Sequence, residues 1–151
     1  GVELTDLETL LRESDIVSIH CPLTPETRAL INAERLALMK PTAYLINTAR
    51  GPIVDQRALT DALRERRIAG AGIDVFEQEP VDPSDPLLTL DNVIVAPHAL
   101  CFTDEVALGN GRSAIRSILD VAAGRVPQNV VNRAALESPG FREKLGRYAG
   151  A

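Results

Sequence analysis

The sequence predicts an α/β fold: part of a doubly wound parallel sheet, with helices on both faces. Three observations carry this. The apolar runs are short and continuous rather than alternating, at Asp15 to His20, Ala43 to Asn47, Ala69 to Val75 and Val93 to Ala96. Strands buried on both faces read this way. Segments of helical period separate most of them, and parallel neighbours require such crossovers. Three of the runs then end in residues with chemistry: Arg50 after the second, Glu77 and Glu79 after the third, His98 after the fourth. In open α/β sheets, ligands bind outside the carboxyl ends of the strands.

The elements follow in order. Thr5-Asp6-Leu7-Glu8 matches a capping box, with Leu7, Leu10 and Leu11 as the apolar stripe of a helix ending near Ser14. Asp15 to His20 is the first strand, stopped by Cys21-Pro22. Thr24 to Thr27 is loop. Asn32 caps a short helix through Met39, which Lys40-Pro41 terminates. Ala43 to Asn47 is the second strand. Asp55 caps a helix with Ala58, Leu59, Ala62 and Leu63 on its apolar face and Arg64, Arg66 and Arg67 in solvent. Ala69 to Val75 is the third strand, whose small residues let a helix pack close. A proline-punctuated loop, Val81 to Leu90, leads to the fourth strand, Val93 to Ala96. Thr103 or Asp104 opens a long helix with Ile115, Ile118, Leu119 and Ala122 as its stripe, closed by Gly124. The polar end, Arg142 to Ala151, is expected to fray.

Composition removes several function classes. The 151 residues suffice for one domain with a real core. A net charge of −5 without a long basic run argues against nucleic acid as the main partner. No apolar run reaches membrane-spanning length, and no signal peptide is visible. Cys21 and Cys101 form neither a metal-ligand pattern nor a disulfide framework, so no metal is expected and a reducing cytoplasm is.

The strand-end residues suggest carbonyl chemistry. His98 can give or take a proton near neutrality; a structural histidine bonded to backbone is an equal reading. Glu79, paired with His98, would favour the imidazolium and fix its tautomer. Glu77 reads better as a solvated loop carboxylate, but spacing alone does not choose between the two. Arg50 offers a planar fork of donors for a carboxylate, or else a surface ion pair. Asp74 lies in a small, apolar strand, where a carboxylate is costly unless it meets a donor, for example by capping a nearby loop. His20 is read as structural, and Cys101, between Leu100 and Phe102, as packing.

With these residues placed, the chain resembles the D-isomer-specific 2-hydroxyacid dehydrogenases. The matching segments are HCPLTPETRALIN from His20, LMKPTAYLINTARGPIVD from Leu38, ALTDALRERRIAGAGIDVFEQEP from Ala58 and NVIVAPH from Asn92, with GRVPQNVVN from Gly124. The resemblance covers nearly all of the chain up to Asn132. It implies a Rossmann-like fold, NAD as cofactor, and a 2-hydroxy or 2-keto acid as substrate. It implies that Arg50 binds substrate, that Glu79 partners the catalytic histidine and that His98 donates the proton. Asp74 would lie near the nicotinamide carboxamide. Cys21, Pro22, Thr48 and Ala49, with Arg50 and His98, would contact the cofactor.

Two departures stand out. Ala99-Leu100-Cys101-Phe102 replaces the family's usual small, glycine-containing run. No strand is followed by Gly-x-Gly-x-x-Gly; Gly70-Ala71-Gly72 leads into a strand rather than out of one. Residues 1–132 are therefore expected to be the later portion of an NAD-binding domain. The first glycine-loop unit and the substrate domain are expected to lie outside the sequence, and 133–151 to form a polar tail. The full-length parent is expected to be a homodimer. The alternatives are a non-catalytic relative that senses the dinucleotide and binds proteins, or an inactive fragment. A formate dehydrogenase relative is disfavoured, because its histidine is partnered by glutamine.

Overall fold

The computed structural model describes residues 1–149. They divide into two compact units, Gly1–Leu100 and Cys101–Ala151.

The first unit holds a four-stranded parallel sheet in the order β1 (Ile16–Ile19), β2 (Tyr44–Asn47), β3 (Gly70–Ile73) and β4 (Val93–Val95). Val17, Leu45, Ala71 and Val93 stand in register across it. Three helices connect or precede the strands: α1 (Leu7–Glu13), α2 (Ala33–Leu36) and α3 (Gln56–Arg64). Asn32 and Asp55 cap α2 and α3 as the sequence predicts, their side chains accepting from the Arg35 and Ala58 amides. The cap of α1 is Asp6 rather than Thr5. Its two carboxylate oxygens take both the backbone amide and the hydroxyl of Thr9, a stronger arrangement than a single hydroxyl cap.

The core lies on one side of the sheet. Val17, Ile19, Leu45 and Ile73 point into it, against Leu11, Leu36, Leu59 and Leu63 from the three helices. Each fully buried leucine contributes about 1.5–3 kcal/mol. The other face carries Ile16, Tyr44 and Ile94, which are 66%, 50% and 80% exposed. The α/β class and the parallel order are those expected. The covering of both faces is not found in this unit. A strand order that runs one way, joined by right-handed crossovers, stacks every connecting helix on one side. Of the small residues of β3, Ala71 lies in the core cluster with residues of α3; the two glycines pack otherwise. Gly70 and Gly72 receive the side chains of Tyr44 and Ile46 from β2 rather than a helix.

The second unit contains α4 (Asp104–Ala122), a 3-10 turn (Arg133–Glu137) and α5 (Pro139–Ala149). Thr103 caps α4 through its hydroxyl. Gly124 ends it at φ +70, where an added Cβ would also strike Ala149. The tail expected to fray from Arg142 is helical to Ala149; Gly150 and Ala151 lie outside the described residues. Phe141 and Leu145, one turn apart, are half-buried, and this apolar pair gives α5 a packed face that its polar composition hides.

Candidate active site

All four strands run parallel, so their carboxyl ends open on the same side, and this is where the chemistry gathers. His98 lies three residues beyond β4. Glu79 follows β3, after the buried Asp74, Val75 and Phe76. The Nδ1 atom of His98 stands 2.7 Å from Glu79 Oε2, and Glu79 Oε1 accepts the Phe76 amide at 3.0 Å. One carboxylate thus ties the imidazole to the end of β3. The hydrogen bond from His98 comes first in holding the Glu79 carboxyl below the ordinary glutamate range; the Phe76 amide follows, and the Arg50 charge adds a smaller share.

The two glutamates have different partners, and α3 takes Glu77. Glu77 accepts the Gln56 amide at 2.9 Å, and its own amide donates to Gln56 Oε1 at 3.0 Å. Its carboxylate belongs to the start of that helix. Gln56 also donates to Asp85, so the hollow of about 510 Å³ beside α3 is lined mostly by groups already paired with one another. A cavity of about 440 Å³ opens instead at His98 and Glu79, walled by Phe76, Pro80, Val81 and Pro97. One hydrogen-bonded histidine–carboxylate pair in an apolar wall is the composition expected of a small-molecule site.

Arg50 reaches this region by a loop whose anchor, Asn47, the sequence reading missed. Asn47, at the end of β2, is 1% exposed. Its side-chain amide donates to the Arg50 carbonyl at 3.0 Å, and its oxygen accepts the Ala49 amide at 3.1 Å. Gly51 then runs flush against the next strand's exit: a Cβ there would fall 1.9 Å from the carbonyl of Phe76. A polar residue closing an apolar strand was the signal for Asn47, since its burial needs both partners. The Arg50 guanidinium is exposed and donates to the Ala49 carbonyl. It makes no hydrogen bond to Glu79 or His98.

The other candidates form a rim. Ile19 pairs with Asn47, so Cys21-Pro22 and Thr48-Ala49 leave adjacent strands side by side. Thr48 is exposed and Cys21 half-buried. Asp74 is 4% exposed, and its carboxylate accepts the amides of Ala99 at 2.9 Å and Leu100 at 3.3 Å. His20 bonds Ser18 at 2.8 Å, away from the pair. Cys101, expected to pack, is exposed, with Leu100 and Phe102 at 62% and 81%. Among the described residues no group of three or more His, Cys, Asp or Glu could hold a metal ion, and no helix is long and apolar enough to cross a membrane.

Comparison with known proteins identifies the family and the fold. The sequence model of the D-isomer specific 2-hydroxyacid dehydrogenase NAD-binding domain matches residues 1–99. A glyoxylate reductase from Thermofilum pendens is 55% identical over 137 residues, covering 91% of this chain and 40% of its own. A glyoxylate/hydroxypyruvate reductase B from Enterobacter agglomerans is 49% identical over 132 residues, covering 87% of this chain and 41% of its own. The chain therefore spans about two-fifths of the length of these relatives. The crystal structure of a D-lactate dehydrogenase with NAD+ from Lactobacillus jensenii superposes with a TM-score of 0.81 at 38% identity, covering 85% of this chain and 43% of that one.

Proposed function

This chain belongs to the D-isomer specific 2-hydroxyacid dehydrogenase family, within its NAD-binding domain, and on that premise we propose that it supplies the acid–base pair of an NAD-dependent enzyme interconverting D-2-hydroxy acids and 2-keto acids. The observation that supports this most is the 2.7 Å contact of His98 with Glu79 at the mouth of an apolar cavity.

The donor set at the strand ends fits the nicotinamide half of the cofactor. Thr48 offers an exposed hydroxyl, Cys21-Pro22 and Ala49 offer backbone edges, and Asp74, Arg50 and His98 surround the exit of β3. Nothing corresponds to a pyrophosphate cradle, because no strand is followed by the glycine loop that holds one at a helix N-terminus. When bound, the cofactor supplies or removes the hydride at the second carbon of the acid.

Arg50 turns its fork outward to the substrate carboxylate. Glu79 holds the Nδ1 side of His98, so Nε2 faces the cavity and protonates the keto oxygen, or takes the proton back in the reverse direction. Phe76, Pro80, Val81 and Pro97 give the cavity an apolar wall beside the pair, which itself stays open to solvent. Glyoxylate is the first keto acid to test, given the relatives. Residues 1–132 would form the later portion of the cofactor domain. A homodimeric, cytoplasmic parent remains part of the proposal; the two free cysteines suit a reducing compartment.

The test is NADH oxidation. The full-length enzyme carrying these residues should turn over glyoxylate, and His98→Ala should lower turnover by about a hundredfold or more. The 151-residue chain alone should be inactive. No turnover by the full-length enzyme with glyoxylate, hydroxypyruvate, pyruvate or 3-phosphohydroxypyruvate would overturn the reading.

A further inference from the structure

We propose that Asp74 is the positioning residue of the acid–base pair: its buried carboxylate grips the backbone just after His98 and thereby keeps the imidazole on Glu79. The importance of His98 rests on the dehydrogenase reading, but the grip itself stands on geometry alone.

Asp74 is fixed before it fixes anything else. Its amide donates to the Asn47 carbonyl at 3.0 Å, which pins the exit of β3 to the end of β2. Its side chain is 4% exposed, so the carboxylate cannot rely on water and must find donors in the protein. It finds two consecutive backbone amides, Ala99 through Oδ1 and Leu100 through Oδ2. Charge-assisted hydrogen bonds of this kind are stronger than neutral ones.

The residue just before those amides is under conformational strain. His98 adopts φ +55, the left-handed region that non-glycine residues hold only when their surroundings fix it. Reversal of the chain at His98 turns the next two amides back towards β3, where Asp74 waits. Without the carboxylate nothing else among the described hydrogen bonds holds those amides, and relaxation of the His98 backbone would swing Nδ1 away from Glu79 Oε2. Glu79 thus holds the ring and Asp74 holds the backbone of the same residue. A carboxylate has about four acceptor sites, so two amides leave room for a cofactor contact as well.

Hydrogen exchange and imidazole NMR on the full 151-residue chain test this. His20, bonded to Ser18 on β1, is the only other histidine and serves as internal reference. Asp74→Ala should speed exchange at Ala99 and Leu100 by about ten- to a hundredfold, the scale for losing a hydrogen bond to a charged acceptor. It should also shift or broaden the His98 Nδ1–H resonance while His20 and the amides of α3 stay unchanged. Asp74→Asn should free only one of the two amides, because a side-chain amide nitrogen cannot accept; this variant decides the matter should Asp74→Ala fail to fold. Both amides staying protected in the folded variants would overturn the proposal. So would freed amides with an unaltered His98 resonance. Failure of the dehydrogenase reading would appear separately, as absent turnover, whatever the exchange shows.

Discussion

On the proposed reading the two nitrogens of His98 have different tasks, and the difference sets the pH behaviour. Nδ1 is held by Glu79, whose carboxyl lies below the ordinary glutamate range because His98 and the Phe76 amide both donate to it. A lowered carboxyl contributes stability that is fully present above the unfolded glutamate value and is lost as pH falls through the lowered one. The pair should therefore survive mild acid and break only below the usual carboxylate range. Glu79→Gln keeps the shape and removes the titrating group. In the full-length enzyme it should lower turnover by less than the roughly hundredfold of losing the acid itself, and it should abolish the acid limb that Glu79 sets in the pH–rate profile. An unchanged acid limb would remove Glu79 from that role. Arg50→Lys keeps the charge but loses the planar fork, so both KM and kcat should suffer; near-normal kinetics would make Arg50 structural. Motif order brought Arg50, Glu79 and His98 forward as candidates, and the structure pairs the last two. Spacing alone did not separate Glu79 from Glu77, since both are acids in one loop; the resemblance chose Glu79, and the Gln56 pairing accounts for Glu77. Nor did spacing find Asn47, whose two partners are backbone groups.

At the scale of elements, the loops matter more than the strands. Gly51 brings the arginine loop against the glutamate loop, with no room for a methyl group beside the Phe76 carbonyl. Gly51→Ala should cost about 1–3 kcal/mol or more, the range for overpacking, because the obstacle is backbone and cannot rotate aside. Urea unfolding would measure it, and a loss below a few tenths would mean that the loop shifts freely. Asp55→Ala removes the cap of α3 and should cost about 1 kcal/mol with the site intact. The caps of α2, α3 and α4 were legible because Asn, Asp and Thr stand immediately before periodic apolar residues. The cap of α1 was misplaced by one residue, since Thr5 and Glu8 match a capping box as well as Asp6 and Thr9 match their own arrangement. The end of the chain was read by composition, which shows its charges and not the Phe141–Leu145 spacing that packs α5.

At the scale of the molecule, the sequence reported strands fit to be buried on two faces, and the first unit buries one. The pattern was accurate about the side chains, because Ile16, Tyr44, Ile46 and Ile94 are apolar on the second face too. Coverage is a property of topology, and four strands in sequential order supply helices to one side only. Two liabilities follow. β1 ends the sheet, so its outer edge carries unpaired backbone groups, and Ile16 beside it opens an apolar face that continues through Tyr44 to Ile94. Of the three apolar β1 residues, only Ile16 is exposed; Val17 and Ile19 face the core. In the second unit α4 adds an exposed stripe of Ile115, Ile118 and Leu119. Soluble monomers seldom show contiguous patches of this kind. The isolated 151-residue chain should therefore self-associate, through strand pairing at β1 or burial of the open sheet face. Sedimentation velocity across a concentration series should show a weight-average mass that rises with concentration. Ile16→Lys, which puts a charge on both edge and face, should shift it back towards the monomer without loss of the core. A concentration-independent monomer of the unaltered chain, with a sharp unfolding transition, would show that the edge and face close themselves in solution, and the placement of β1 at an open edge would be wrong.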